Sequence, residues 1–209
     1  ADSSAPPPSP APEPPPADSA APPSPVAEPV PAKSVPPPAA EKPAGPIIVT
    51  ARMGAADQAW VNDLRRRYFP PERNHLAAHI TLFHHLPPSL EAELCRLLAR
   101  LSDSPKPLAR IARPYSLGNG VALQVDSPAL LAIRAEIARL FERHLTPQDR
   151  HQPRLHITIQ NKVTSQIARQ TLADMEMLSF PRPLEIDALA CWHYRGGPWS
   201  PIARYPFRR

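Results

Sequence analysis

The sequence predicts an α+β fold in which mainly antiparallel strands carry helices on one face. Three observations predict it. A strand-helix-strand-strand order occurs twice after residue 46, short connections join the elements, and the Gly-Asn-Gly at 118–120 lies between two apolar segments as a hairpin turn would. The two copies are centred on HITL at 79–82 and HITI at 156–159, which lie 77 residues apart. One structural unit is therefore expected twice.

The segment before this fold has a different composition. Residues 1–46 hold 18 of the 33 prolines, and most of the rest are Ala and Ser with a few acids. Such a segment has too little apolar surface to offset the entropy of ordering. We therefore expect 1–46 to be a disordered or polyproline II tail and 47–209 to be the folded domain. The tail is expected to be a spacer, with docking of its Pro-x-x-Pro segments on an SH3-like partner as the alternative.

The folded part is basic, which the whole-chain net charge of +5 conceals. Residues 47–209 carry 22 Lys and Arg, 20 of them Arg, against 14 Asp and Glu, a net charge of +8. Guanidinium groups bind phosphates in a bidentate way, so this charge favours a phosphate-bearing partner, with a merely soluble surface as the alternative. No apolar run approaches the ~18 to 20 residues of a membrane span. Cys95 and Cys191 are far apart in sequence and form no C-x-x-C, which favours a reducing compartment, so we expect a cytoplasmic protein. We also expect a monomer.

In the first half, β-branched and alternating runs predict strands, and apolar residues at helical spacing predict helices. Trp60, Leu64 and Tyr68 recur at spacings of four and form the expected inward stripe of the first helix. The predicted elements are a strand at 47–53, a helix at 55–69, a strand at 77–86, a helix at 89–101 and strands at 108–114 and 119–126.

In the second half, Ser127 followed by proline predicts the start of a helix, since this pair is typical of a helix N-terminus. The apolar positions Leu130, Ile133, Ile137 and Leu140 then repeat at three and four. The remaining predicted elements are a strand at 154–163, a helix at 165–178 and two strands within 183–207, around the Gly-Gly-Pro at 196–198.

Each copy carries a His and a Thr on one face of a strand, because side chains alternate faces along a strand. The expected faces are His79, Thr81 and Phe83 in front with Ile80, Leu82 and His84 behind, and His156, Thr158, Gln160 and Lys162 in front with Leu155, Ile157 and Ile159 behind. A His-apolar-Thr-apolar string is expected roughly 0.05 times by chance in a segment of this composition. Its occurrence in both copies indicates a function.

These residue types suit displacement at phosphorus, in which the attacking and leaving oxygens lie on opposite sides. One imidazole accepts the proton of the nucleophile while the other donates a proton to the leaving oxygen, and an ordinary histidine pKa of ~6.5 permits one neutral and one charged ring. The hydroxyls of Thr81 and Thr158 donate to the non-bridging oxygens, where charge develops. This chemistry needs no metal and no cofactor.

The two H-x-T-apolar motifs, with the flanking segments HITLFHHLPP, LTPQDR and HITIQNKV, resemble the 2H phosphoesterase superfamily, in its bacterial 2'-5' RNA ligase and 2',3'-cyclic phosphodiesterase branch. The resemblance covers residues 47–209. It implies a two-lobed, duplicated fold with a pseudo-twofold groove between the lobes. It also implies His156 as base and His79 as acid in cyclic phosphate opening. Ala78 and Leu155 depart from the family, whose members often carry proline before the histidine.

The resemblance implies a metal-independent phosphoesterase that acts on 2',3'-cyclic phosphate or 2'-5' linkages, with 2'-5' RNA ligation as the reverse reaction. The expected ligands are RNA or oligonucleotide ends or cyclic nucleotides. The alternative is an RNA or nucleotide binding module with weak or no turnover. A metal cluster at His75, His79, His84 and His85 is disfavoured, because the spacing fits no zinc pattern and no cysteine is nearby.

Three further residues are expected to contact substrate. Lys162 and Gln160 share the expected face of His156, and Lys162 is a candidate phosphate ligand. Tyr194 is a candidate for stacking on a base, together with Trp192 and Trp199, and core packing is the alternative for these aromatic residues. The run Arg65-Arg66-Arg67 is expected to form a solvated helix face.

Overall fold

The structure, a computed structural model, describes residues 45–208. Within them the strands are β1 (Ile47–Met53), β2 (Ile80–Leu86), β3 (Leu108–Ser116), β4 (Gly120–Asp126), β5 (His156–Asn161), β6 (Arg182–His193) and β7 (Ser200–Pro206). The helices are α1 (Ala55–Tyr68), α2 (Glu91–Ser102), α3 (Pro128–Leu140), α4 (Pro147–Arg150) and α5 (Ser165–Glu176). The predicted tail lies outside the described residues, apart from Gly45 and Pro46.

All strand pairs are antiparallel, and the sheet order is β2-β1-β6-β3-β4-β5, with β7 paired to β6. The long strand β6 joins two halves of the sheet. Its first part, 182–185, pairs with β3, and its second part, 186–193, pairs with β1. The predicted α+β class with antiparallel strands and flanking helices is confirmed, and the two motif strands β2 and β5 lie at opposite ends of the sheet order.

The duplication is visible in the order of elements. The unit β1-α1-β2-α2-β3 is followed by β4-α3-β5-α5-β6, with the short α4 inserted before β5. The last strand of each unit pairs with the first strand of the other, since β3 pairs with β4 and β6 pairs with β1. The two units therefore share one sheet.

The core lies between the sheet and the helices. The apolar backs of the motif strands supply Ile80, Leu82, Ile157 and Ile159, which are buried. Helix α1 buries Val61, Leu64 and Arg65 and leaves Trp60 and Tyr68 half-buried, so the buried stripe is rotated from the predicted one. In α3, Leu130 and Ile137 are buried, whereas Leu140 is 43% exposed because the helix ends there.

A bulge interrupts the predicted alternation in both motif strands. Thr50 pairs with Thr81 and Val49 with Phe83, so Leu82 is the additional residue. Likewise Ala122 pairs with Thr158 and Val121 with Gln160, so Ile159 is additional. A bulge reverses which face the following side chains take. Phe83 and Gln160, again 77 residues apart, are consequently buried, and their predicted place beside the histidines is wrong.

The hairpin predicted at 118–120 joins β3 and β4. Gly118 has a φ of 82°, in the left-handed region that favours glycine. A Cβ at Gly120 would lie 2.1 Å from the carbonyl oxygen of Gln160, so the close approach of β5 also requires glycine there.

The two cysteines, distant in sequence, are neighbours in space. Their Sγ atoms are 4.0 Å apart, and both are free thiols. Their sequence separation therefore carries no argument about the redox compartment. In the part of the chain that the structure describes, no helix combines the length and apolar character needed to span a membrane.

Candidate active site

The two motif histidines have the same local geometry. His79 directly precedes β2 and His156 begins β5. Nδ1 of His79 lies 2.8 Å from the carbonyl oxygen of Ala77, and Nδ1 of His156 lies 2.8 Å from that of Arg154. A carbonyl oxygen only accepts, so each Nδ1 carries the proton. Each neutral ring therefore leaves Nε2 unprotonated and able to accept a proton.

The two motif strands, β2 and β5, stand first and last in the sheet order but lie next to each other in the fold. Strand β2 contacts β5, and His156 is close enough for its charge to disfavour protonation of His79. Thr81 and Thr158 are both half-exposed on these strands. Within residues 45–208 neither hydroxyl bonds to another protein group, so both are free to donate to a ligand. Two imidazoles and two hydroxyls from separate repeats are thus carried by two strands that contact each other.

Helix α1 holds the backbone that leads into His79. Gln58 Nε2 donates to the carbonyl oxygen of Ala78 at 2.8 Å, and the Ala78 amide donates to Asn62 Oδ1 at 2.8 Å. A proline at position 78 would have no N–H for the second bond. Ala78 is therefore compatible with the site because Asn62 fixes its peptide.

The pKa of His79 is lowered to about 4. Burial is the largest cause. The His79 ring packs against the ring of Trp199, with centroids 4.6 Å apart, and this contact removes water from it. The charges of Arg65, His156 and His84 lower the pKa further, and the bond to Ala77 opposes the shift. His79 is therefore neutral at pH 7, which suits a base and opposes the acid role expected from the resemblance.

A cleft of about 330 Å³ adjoins His79, and its walls include Arg52, Gln58, Trp192 and Trp199. Trp192 is fixed because its Nε1 donates to Thr50 Oγ1 at 2.9 Å. The Trp199 ring lies 6.3 Å from that of Trp192, measured between centroids. For Trp192 and Trp199 the sequence allowed either stacking on a base or packing in the core. In the structure both border the site.

Beside the second motif histidine, Tyr115 of β3 meets His156 edge-on with ring centroids 6.3 Å apart. The guanidinium of Arg154 lies over the Tyr115 ring at 5.0 Å. The sequence analysis missed both residues. The position of Arg154, two residues before His156, was a usable signal for that residue, whereas no local pattern marked Tyr115.

Of the three predicted substrate contacts, Gln160 is buried, whereas Lys162 and Tyr194 are exposed. Gln160 is 2% exposed and donates through Nε2 to the Tyr68 carbonyl and to Thr171 Oγ1, because the bulge turns it inward. Lys162 is exposed but follows the end of β5 with a φ of 60°, so strand alternation does not apply to it. Tyr194 is 44% exposed after β6, and Trp199 is the aromatic residue that contacts His79.

His84 and His85, near the end of β2, bind a carboxylate. Asp149 accepts from the backbone amides of His84 and His85 and lies 3.2 Å from Nδ1 of His84. Burial opposes ionisation of Asp149, but these bonds outweigh it and hold the pKa of that carboxyl below its usual range. Among residues 45–208, no group of three or more His, Cys, Asp or Glu side chains is arranged to hold a metal ion.

Comparison with known proteins agrees with this fold. A sequence profile described as the 2'-5' RNA ligase superfamily matches residues 54–198. The fold is similar to Escherichia coli LigT in complex with 3'-AMP, with 17% identity, a TM-score of 0.54 and coverage of 79% of this chain and 99% of LigT. It is also similar to LigT with NADP+ (15% identity, TM-score 0.51, coverage 78% and 98%) and to TT0787 of Thermus thermophilus (12% identity, TM-score 0.53, coverage 78% and 98%). No curated protein matches the sequence significantly.

Proposed function

Since this chain belongs to the 2'-5' RNA ligase superfamily of 2H phosphoesterases, we propose that it hydrolyses 2',3'-cyclic phosphates or 2'-5' phosphodiester linkages at the ends of RNA or oligonucleotides. Ligation through a 2'-5' bond would use the same groups with a 5'-hydroxyl in place of water. The hydroxyl oxygen attacks the cyclic phosphate, and the bond from phosphorus to the 3' ribose oxygen breaks as the new P–O bond forms. The observation that carries the proposal is the matched pair of histidines, each with Nδ1 bonded to the carbonyl two residues earlier.

In the proposed reaction, His79 Nε2 takes a proton from water as the water oxygen attacks phosphorus. The bond from phosphorus to the leaving ribose oxygen breaks, and that oxygen receives the Nε2 proton of a charged His156. The hydroxyls of Thr81 and Thr158 donate to the non-bridging oxygens. The low pKa of His79 supports its role as base, the reverse of the assignment implied by the resemblance. A 2',3'-cyclic phosphate opens to a monoester, with one P–O bond formed and one broken.

A nucleotide ligand is supported by the relatives, since LigT structures contain 3'-AMP and NADP+. The Trp199 and Trp192 walls of the cleft beside His79 are suited to contact with a base or ribose, because aromatic faces stack on any base. The guanidinium of Arg154, held over Tyr115 beside His156, adds positive charge on the opposite side of the phosphate.

The test is a panel of 2',3'-cyclic mononucleotides, 2'-5' and 3'-5' dinucleotides and RNA with 2',3'-cyclic ends, with products resolved by chromatography and phosphorus NMR. We expect turnover of a cyclic phosphate or a 2'-5' linkage and none of 3'-5' dinucleotides. Tight binding across the panel without turnover would instead identify a nucleotide or RNA binding module. If the protein neither binds nor turns over any member of the panel, the proposed substrate class is refuted.

The pH dependence follows from the pKa of His79. We expect kcat/KM to rise as pH increases through about 4, because only the neutral imidazole accepts a proton. A bound phosphate favours the charged ring, so the acidic limb of kcat should lie at higher pH than that of kcat/KM. A reaction that also needs a general acid has a falling limb at higher pH, so both profiles should be bell-shaped. Samples held at each pH and assayed at pH 7 control for unfolding. An acidic limb of kcat/KM near pH 6.5 would contradict the assignment of His79 as base.

Metal removal is expected to leave the rate unchanged, because the proposed steps use only imidazoles and hydroxyls. The measurement is turnover after incubation with EDTA and gel filtration, with a Mg²⁺-dependent phosphatase as the positive control for chelation. Activity lost on chelation and restored by Zn²⁺ or Mn²⁺ would overturn the metal-independent reaction.

We also propose that the protein acts as a monomer in the cytoplasm. Light scattering on the purified chain tests the first part, and fractionation of the source cells tests the second.

A further inference from the structure

Arg65, expected on a solvated helix face, is 5% exposed and binds backbone from both repeats. Its Nη1 donates to the carbonyl oxygen of Thr158 at 2.6 Å. Its Nη2 donates to Asn74 Oδ1 at 2.8 Å and to the carbonyl oxygen of Leu76 at 3.1 Å. One guanidinium thus connects the segment that precedes His79 to the motif strand of the other repeat.

Arg134 of α3 makes the reciprocal connection. It is 7% exposed, its Nε donates to the carbonyl oxygen of Leu82 in β2, and its Nη2 donates to the carbonyl oxygens of Asp149 and His151. The segments bound by the two arginines, 74–76 and 149–151, lie 75 residues apart and lead into His79 and His156. Each arginine therefore ties its own repeat's approach to a histidine to the motif strand of the other repeat.

The burial of two cations needs compensation. Burial lowers the pKa of both guanidinium groups, and each lies over a phenylalanine ring, Arg65 over Phe69 at 4.5 Å and Arg134 over Phe83 at 4.8 Å. Arg134 is also balanced by the charge of Asp149. The acceptors bonded to Arg65 are all neutral, and its Nε has no partner among the described residues. A buried charge kept without a carboxylate partner is costly to stability, which points to a role beside the two motif strands.

We propose that Arg65 and Arg134 are positioning residues that fix the distance and register between the two His/Thr strands, with Arg65 acting on His79 and Thr158. The planar guanidinium reaches three acceptors at once, which a lysine ammonium on a flexible stem does not reproduce. The segment held at Leu76 continues into Ala77, whose carbonyl orients the His79 ring. The effect on turnover rests on the proposed function, whereas the effect on His79 itself does not.

Arg65 also acts on His79 through its charge. The titratable and charged groups around His79 come from α1, β1, β2, β5 and the preceding loop, and they are Arg65, Arg52, His84, His156 and His75. Arg65 is the first of the charges that lower the pKa of His79. Removal of this charge should therefore move the titration of His79 upward from about 4, toward the ordinary 6.5.

The experiment compares Arg65→Met, Arg65→Lys and the control Arg67→Met, an exposed position two residues along the same helix. Histidine titration by NMR in the free protein, with His79 assigned by its loss in His79→Ala, gives a readout that needs no substrate. We expect the His79 midpoint to rise in Arg65→Met and to stay near the wild-type value in Arg65→Lys, which keeps the charge. Arg67→Met should titrate as the wild type does.

On a substrate that the wild type turns over, misplacement of the strands should lower kcat by about 10²-fold in Arg65→Met, with KM changed less than kcat. Arg65→Lys should recover part of this loss. An Arg65→Met variant with wild-type kcat and an unmoved His79 midpoint would overturn the proposal. If circular dichroism shows that Arg65→Met does not fold, the test uses Arg65→Lys instead. A wild-type kcat in Arg65→Lys would also overturn the proposal. Failure of the wild type on every substrate refutes the proposed function but leaves the NMR test of Arg65 intact.

Discussion

Replacement of either His79 or His156 by alanine is expected to lower turnover by about 10² to 10⁴. In the same displacement one imidazole accepts the proton of the attacking water and the other donates a proton to the leaving oxygen. The loss of either therefore removes the general base or the general acid. The fold-loss of turnover in the double variant should be much smaller than the product of the two single losses, because the effects of residues that act as a unit are not additive. The measurement is kcat/KM for all three variants on the best substrate of the panel.

His85→Ala is the matched control for the histidines. His85 is exposed and only its backbone amide binds Asp149, so its side chain should be dispensable. A single His79 or His156 variant that keeps more than about half of the wild-type activity would contradict paired acid and base catalysis. Activity lost equally in His85→Ala would point to a loss of folding, which circular dichroism would detect.

Loss of either motif hydroxyl is expected to lower kcat by about 10 to 10³, through the loss of one donor to the charge that develops on phosphorus oxygens. Thr81→Val and Thr158→Val test this, since valine keeps the shape of threonine and removes the hydroxyl. Both hydroxyls lack protein partners within residues 45–208, so no structural hydrogen bond is lost with them. KM should change less than kcat, because the interaction strengthens in the transition state.

Serine at the same positions provides the control. Thr81→Ser and Thr158→Ser keep the hydroxyl and should retain most of the activity, although serine fixes its rotamer less firmly than a β-branched residue does. Equal losses in the valine and serine variants would mean that packing of the methyl group matters, and the proposed donor role would then be wrong.

Much of the fold could be predicted because its signals are local. The Ser127-Pro128 start of α3 is confirmed by the Leu130 amide, which donates to Ser127 Oγ. The hairpin at Gly118 follows from glycine's freedom at positive φ, and the repeat of strands and helices follows from hydrophobic spacing. The bulges at Leu82 and Ile159 escaped prediction, because an extra residue in a strand is defined by the register of its neighbour.

The candidate reacting groups could be identified from the amino-acid sequence alone, since His79, Thr81, His156 and Thr158 are recognisable from type, spacing and repetition. The residues that surround these groups could not be identified from the sequence. The burial of Arg65 and Gln160, the contact of Trp199 with His79 and the low pKa of His79 all depend on segments distant along the chain. Alternation along a strand is a local steric property, whereas desolvation and charge depend on what packs against a residue after folding.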